Sequence, residues 1–146
     1  MRTSAAGRKA IEQREGVRLN AYLDSVGVWT IGVGHAATSG VEPIPRNGMK
    51  ITVQQADDLL SIDLARYEEA INQSVKVPLT QNQFDACLSL CFNIGQRGFM
   101  HSTVVARLNR KDYRGAADAF LMWQHPPELR SRRDAERKQF LTGMNP

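Results

Sequence analysis

A chain of 146 residues with 42% apolar and 23% charged content is long enough to bury a hydrophobic core and too apolar for a disordered polymer. No run approaches the ~18 consecutive apolar residues of a membrane span, and the charged stretch from Met1 to Gly16 lacks the apolar centre of a signal peptide. The net charge of +4 is uneven, because residues 1–96 carry 9 basic against 10 acidic side chains and residues 97–146 carry 10 against 5. The expectation is therefore a chain kept in the cytoplasm until something else releases it, with a basic C-terminal third. That field asks for an anionic partner without choosing among nucleic acid, membrane surface and cell-wall polymer.

Ser4 is placed to cap a first helix running to about Glu15, with Ala6, Ala10 and Ile11 inward and Gly16 at its end. The turn Asp24-Ser25-Val26-Gly27 leads into Val28-Trp29-Thr30-Ile31, rich in β-formers, so a hairpin or three-stranded sheet is expected between roughly Arg18 and His35. From Ala36 to Lys50 the chain is punctuated by Gly40, Pro43, Pro45 and Gly48 and reads as irregular. Thr52 to Gln55 has the form of a capping box. It opens an amphipathic helix to about Gln73, apolar at Val53, Ala56, Leu60, Leu64, Tyr67 and Ile71, acidic opposite at Asp57, Asp58, Asp63 and Glu69. A helix of ~20 residues spans ~30 Å, enough to bridge two lobes.

A second box, Thr80 to Gln83, begins an apolar helix through Phe84, Cys87, Leu88, Cys91 and Ile94 that Gly95 stops. Shorter helices follow, from Ser102 or Thr103 to Asn109 and from Tyr113 to Trp123 under an Asp112 cap. Pro126-Pro127 breaks the chain before a last helix, Ser131 to Leu141, Arg-rich on its outer side. The fold class is α+β and mostly helical. One domain is expected, with a sheet lobe at 16–51, a bridging helix at 52–73, and a helical lobe made by 1–15 and 74–146. The two cysteines lie one helical turn apart among apolar neighbours, and neither His101 nor His125 has a ligand spacing, so they read as reduced core thiols rather than a metal site.

Glu15 at a helix end, Asp24 at a turn and Thr30 on a strand place two carboxyls and a hydroxyl on elements of different type. Glycoside hydrolysis needs such a set: one carboxyl to protonate the leaving oxygen, another to act as nucleophile or to activate water. Partial burial beside Val17 and Tyr22 would suit Glu15 to the first role. The plainer alternative is that Glu15 pairs with Arg14 or Arg18, Asp24 only makes a turn, and Thr30 only favours a strand.

The whole string from Glu15 to His35, E-G-V-R-L-N-A-Y-L-D-S-V-G-V-W-T-I-G-V-G-H, closely resembles the phage lysozyme (endolysin) family, which includes the lysozyme of the T-even coliphages. The resemblance continues through Leu79 to Ala86, Phe92 to Gly95, Ser102 to Asn109, Ala116 to Phe120 with Trp123, and Arg132 to Arg137. It implies a lysozyme-like fold, a small sheet lobe joined by a long helix to an all-helical C-terminal lobe. It further implies a muramidase that cuts the β-1,4 bond between N-acetylmuramic acid and N-acetylglucosamine in peptidoglycan, without metal or organic cofactor. Glu15 would be the general acid, Asp24 the second carboxylate, and Thr30 would help place the water. His35 would act structurally, through a carboxylate such as Asp63. Phe92, Asn93 and Ser102 would line the saccharide cleft, and Arg132, or otherwise Arg133, would form an ion pair near Glu15. Members of the family invert the anomeric centre, which implies carboxyls ~6.5–9.5 Å apart with a water between them.

Pro126-Pro127-Glu128 departs from the Gly-rich link of many relatives. Several relatives carry a membrane-retained N-terminal segment not seen here, which implies no stable membrane insertion, residence in the host cytoplasm until lysis, and release through a separate pore-forming protein. A monomer is expected. The rivals are a lytic transglycosylase, which has no use for Asp24 or Thr30, and a nucleic-acid-binding or wall-binding helical protein without catalysis, which leaves Glu15 to His35 unexplained.

Overall fold

A computed structural model of the chain describes Met1 to Met144. The chain divides into two compact units, one formed by Arg8–Asp63 and the other by Met1–Gly7 with the chain from Leu64 onward. Its first helix, α1 (Ala5–Glu15), begins in one unit and ends in the other, and the long helix α2 (Val53–Ser74) does the same in reverse.

The unit Arg8–Asp63 is built on an antiparallel sheet of three strands, β1 (Arg18–Leu23), β2 (Trp29–Gly32) and β3 (His35–Ala36), in the order β1-β2-β3. Thr30 stands opposite Tyr22 on one side and Ala36 on the other. The stretch after β3 is less irregular than its Gly/Pro spacing suggests. Residues 37–39 make a 3-10 turn, and the chain then returns to the free edge of β1, where Ala21 N–H donates to the Met49 carbonyl and Ile51 N–H to the Leu19 carbonyl, both at 2.9 Å. A short bridge of this kind leaves no periodicity to read. Ile11, Ile31, Val33, Ala56, Leu59 and Leu60 form the core of this unit, so α1, β2 and α2 each contribute an apolar face.

The second unit is helical. Its centre is α3 (Gln81–Ile94), where every residue from Gln83 to Cys91 is buried, as befits a helix apolar nearly all round. The Thr80 capping box closes its N-terminus, and Gly95 donates its N–H to Cys91 at the other end. Four shorter helices follow: α4 (Gln96–Met100), α5 (Thr103–Leu108), α6 (Tyr113–Ala119) and α7 (Arg130–Leu141). The α4 turn, unforeseen, is too short to show a hydrophobic period. The expected helix to Trp123 instead tightens into a 3-10 turn at Phe120–Met122. Pro126 begins another such turn, Pro127–Leu129, which feeds α7, so the proline pair starts a helix as much as it breaks one. Phe120 and Phe140 meet at 5.6 Å between ring centres.

Two acids of α2 that a helical wheel places outward or leaves unmarked, Asp63 and Glu68, are buried. Glu68 accepts hydrogen bonds from the Thr3 N–H and hydroxyl at 2.7 and 2.6 Å. Ser4 caps α1 as expected, accepting from the Gly7 N–H at 3.0 Å, while its own hydroxyl and N–H donate to Asp85 of α3. Gly7 is required by this approach, since a Cβ there would stand 2.6 Å from the Asp85 carboxyl carbon. Cys87 and Cys91 are reduced and fully buried. Burial pushes the Cys91 thiol up to about 12 and the Cys87 thiol higher still, with nearby Cys91 and Glu136 adding to the latter.

Candidate active site

Glu15 is the last residue of α1. Gly16 ends the helix in the left-handed region, at φ 83°, and its N–H reaches the Glu12 carbonyl at 2.8 Å. That reversal turns Val17 outward, 39% exposed, and Glu15 is exposed too. The shelter expected from Val17 is therefore absent, because a left-handed glycine sends the chain away from the helix axis.

Asp24 follows β1 and closes the hairpin. Its N–H donates to the Val28 carbonyl at 2.9 Å and its carbonyl accepts from the Gly27 N–H at 3.0 Å, a turn that Gly27 permits at φ 81°. One carboxylate oxygen, Oδ1, accepts from the backbone N–H groups of Val26 and Val28 at 2.9 and 2.8 Å. Among the described residues, Oδ2 takes no protein hydrogen bond. Thr30, 4% exposed, donates its hydroxyl proton to the Val28 carbonyl at 3.0 Å.

Val28 thus joins the two side chains. It gives its N–H to Asp24 and takes the Thr30 hydroxyl on its carbonyl. Thr30 Oγ1, with its proton committed, is left as an acceptor, and Asp24 Oδ2 is another. Two fixed acceptors can hold both hydrogens of one water and leave an oxygen lone pair exposed. The sequence pointed to Asp24 and Thr30 but gave no sign that a valine backbone couples them.

His35, in β3 opposite Ile31, is buried. Its Nδ1 is 2.7 Å from Asp63 Oδ2, and its Nε2 is 3.0 and 2.9 Å from the carbonyls of Val41 and Pro43. Each ring nitrogen thus lies within hydrogen-bond reach of an oxygen supplied by another segment. The pair ties β3, α2 and the loop after β3 together.

In the helical unit, Phe92 of α3 stands edge-on to Tyr67 of α2, at 5.1 Å and 64° between rings. Asn93 beside it is half-buried, and its Oδ1 accepts from Arg133 Nη2. Ser102 is buried and caps α5, accepting from the Val105 N–H at 3.3 Å. Arg132 directs Nε to Glu136 and Nη2 to the Ser89 carbonyl, each at 3.1 Å. Arg133 and Glu136 are both fully buried and bonded to each other. Sequence reasoning missed their depth. The available signal was an acid in register with two arginines on α7, and a serine, Ser89, inside an otherwise apolar run.

The phage lysozyme family model matches residues 12–136. The chain belongs to the phage lysozyme family. This family member is 46% identical to the endolysin of Salmonella phage P22, a likeness covering 97% of this chain and 99% of that one. To the endolysin of Acyrthosiphon pisum secondary endosymbiont phage 1 it is 40% identical over 96% of its own length and 98% of the relative's. Among solved structures, a P22 lysozyme mutant superposes with a TM-score of 0.90 at 47% identity, covering 97% of this chain and 99% of that one. The muramidase domain of SpmX from Asticaccaulis excentricus gives 0.85 at 39% identity, covering 97% and 98%. The lysozyme-like, mostly helical α+β fold expected from the resemblance is the fold of these neighbours.

Proposed function

We propose that this phage lysozyme is an endolysin with muramidase activity, hydrolysing the β-1,4 bond between N-acetylmuramic acid and N-acetylglucosamine in peptidoglycan with inversion at the anomeric carbon. The observation that carries the reading is the Asp24–Val28–Thr30 linkage, which fixes a carboxylate and a hydroxyl through one residue's backbone and leaves each with an acceptor site. The names of the relatives, endolysin and muramidase, point the same way.

Glu15 donates its proton to the glycosidic oxygen as the bond breaks. Asp24 Oδ2 accepts one proton of the attacking water while Thr30 Oγ1 accepts a hydrogen bond from the other. The water oxygen then bonds to the anomeric carbon from the face opposite the leaving group, and Asp24 keeps the proton until solvent removes it. Thr30 needs no activation in this scheme, because it places the water and never attacks. Phe92, Asn93 and Ser102 belong to the saccharide-binding surface in this reading, and Arg132 to its charged support.

Glu15→Gln is expected to lower turnover of purified peptidoglycan by ~10²–10⁴, and a loss under tenfold would remove Glu15 from its role. Mass spectrometry of the products separates hydrolysis, which adds one water per cut, from transglycosylation, which leaves a lighter anhydro end. Proton NMR of the first-formed sugar must show the α anomer for inversion. Action as a monomer and passage to the wall through a pore formed by another protein belong to the same proposal. A dimer in size-exclusion runs, or lysis by the chain expressed alone, would overturn those two parts.

A further inference from the structure

The helical unit contains a buried charged network whose outermost member is a half-exposed amide. Glu136 and Arg133 are fully buried. Arg133 gives Nε to the Trp123 carbonyl at 2.9 Å, Nη1 to Glu136 Oε1, and Nη2 to Asn93 Oδ1. Glu136 Oε2 accepts from the Ser89 hydroxyl at 2.5 Å and from Arg132 Nε at 3.1 Å. A guanidinium has donors and no acceptor, so the Asn93 atom facing it must be the oxygen. The Asn93 NH₂ group is thereby turned the other way, and among the described residues it takes no protein partner.

We infer that Glu136 is a positioning residue which, through Arg133, fixes Asn93 as a hydrogen-bond donor for an amide carbonyl of the substrate. The inference rests on the muramidase reading and deepens it. An unconstrained asparagine presents either its oxygen or its nitrogen. One locked by a buried cation presents only N–H, and so complements a group that only accepts. Sugar hydroxyls both donate and accept, whereas amide carbonyls only accept. Peptidoglycan offers such a carbonyl from two sources, the 2-acetamido group of either sugar and the lactyl amide that joins the stem peptide.

Asn93→Asp tests this directly. The variant keeps an oxygen on Arg133 and replaces the outward donor by an acceptor. On soluble peptidoglycan strands, KM is expected to rise about tenfold and kcat to fall no more than about threefold, the pattern of lost substrate binding. The KM ratio between variant and wild type is then measured on strands with half their acetyl groups removed, and on strands stripped of stem peptides. A ratio that changes only on the first assigns the acetamido carbonyl, and one that changes only on the second assigns the lactyl amide. A ratio unchanged on both overturns the inference.

Glu136→Gln is expected to raise KM about threefold to tenfold alone, and less than about twofold in the Asn93→Asp background, because both act on the same amide. Multiplicative effects would show that Glu136 serves only stability. If Glu136→Gln does not fold, Ser89→Ala, which removes one donor to Glu136, takes its place in the cycle. Wild-type protein that cleaves none of the strands overturns the muramidase reading and this inference together. Wild-type cleavage with an unaltered KM in Asn93→Asp overturns this inference alone.

Discussion

In the unit Arg8–Asp63, the side chains of the candidate chemistry are held by backbone groups close by in sequence. Asp24 is fixed by N–H groups two and four residues on, and Thr30 by a carbonyl two residues back. In the helical unit, Asn93 and Ser89 are fixed by charged groups 40 and 47 residues away. Local fixing lets a carboxylate be oriented at little cost to the fold. Distant fixing through a buried ion pair makes the fold and the side-chain geometry inseparable, since breaking such a pair leaves an uncompensated charge in the interior.

This contrast breaks first at Asp24. Asp24→Ala is expected to lower turnover by ~10²–10⁴ while costing only about 1 kcal/mol of stability; activity assays beside thermal unfolding check both. A fall in stability as large as that of a core variant would erase the distinction between the units. Next in size, Arg133→Met is expected to destabilise by ~3–5 kcal/mol. Arg8→Met, which removes a half-exposed partner of Asp57 at 3.3 Å, is expected to cost under ~1 kcal/mol. Denaturant titrations of the two variants sharpen the comparison, and equal losses would break it.

Gly7→Ala comes third, at ~1–3 kcal/mol. The added methyl meets the Asp85 carboxyl, which Ser4 and Gln81 already hold in place, and this outweighs alanine's better helix propensity. The smallest effect is at Glu12, whose carboxyl is raised above its ordinary range by burial, by a hydrogen bond with Asp57, and by the charge of Asp57. A raised acid binds more protons folded than unfolded, so it favours the fold at acid pH and disfavours it as pH climbs through the raised value. Because the site is partly open to solvent, Glu12→Gln is expected to raise the melting temperature by only about 1–2 °C at pH 7. The gain should shrink at pH 4; a gain independent of pH would assign it to packing.

Much of the scaffold was readable because its signals are local. The boxes at Thr52 and Thr80 close as their spacing implies, with reciprocal bonds to Gln55 and Gln83. The hairpin turn and the His35–Asp63 pair follow the motif that suggested them. The remainder depends on groups that meet only after folding. No pattern in one chain tells that Arg133 is wholly buried while Arg132 beside it is not, or that Glu68 waits for Thr3. Glu15 misled for a related reason. Its apolar neighbours suggested shelter, but the left-handed turn at Gly16 sends the chain outward.

The two sulfur atoms of α3 carry a last consequence. Disulfide exchange and alkylation proceed through the thiolate, a form that Cys91, at about 12, and Cys87 beyond it scarcely populate at neutral pH. Both are also sealed from reagent inside the most enclosed helix of the molecule. In the native protein these two thiols are therefore shielded from disulfide exchange and alkylation, and their chemistry begins only when the polypeptide opens.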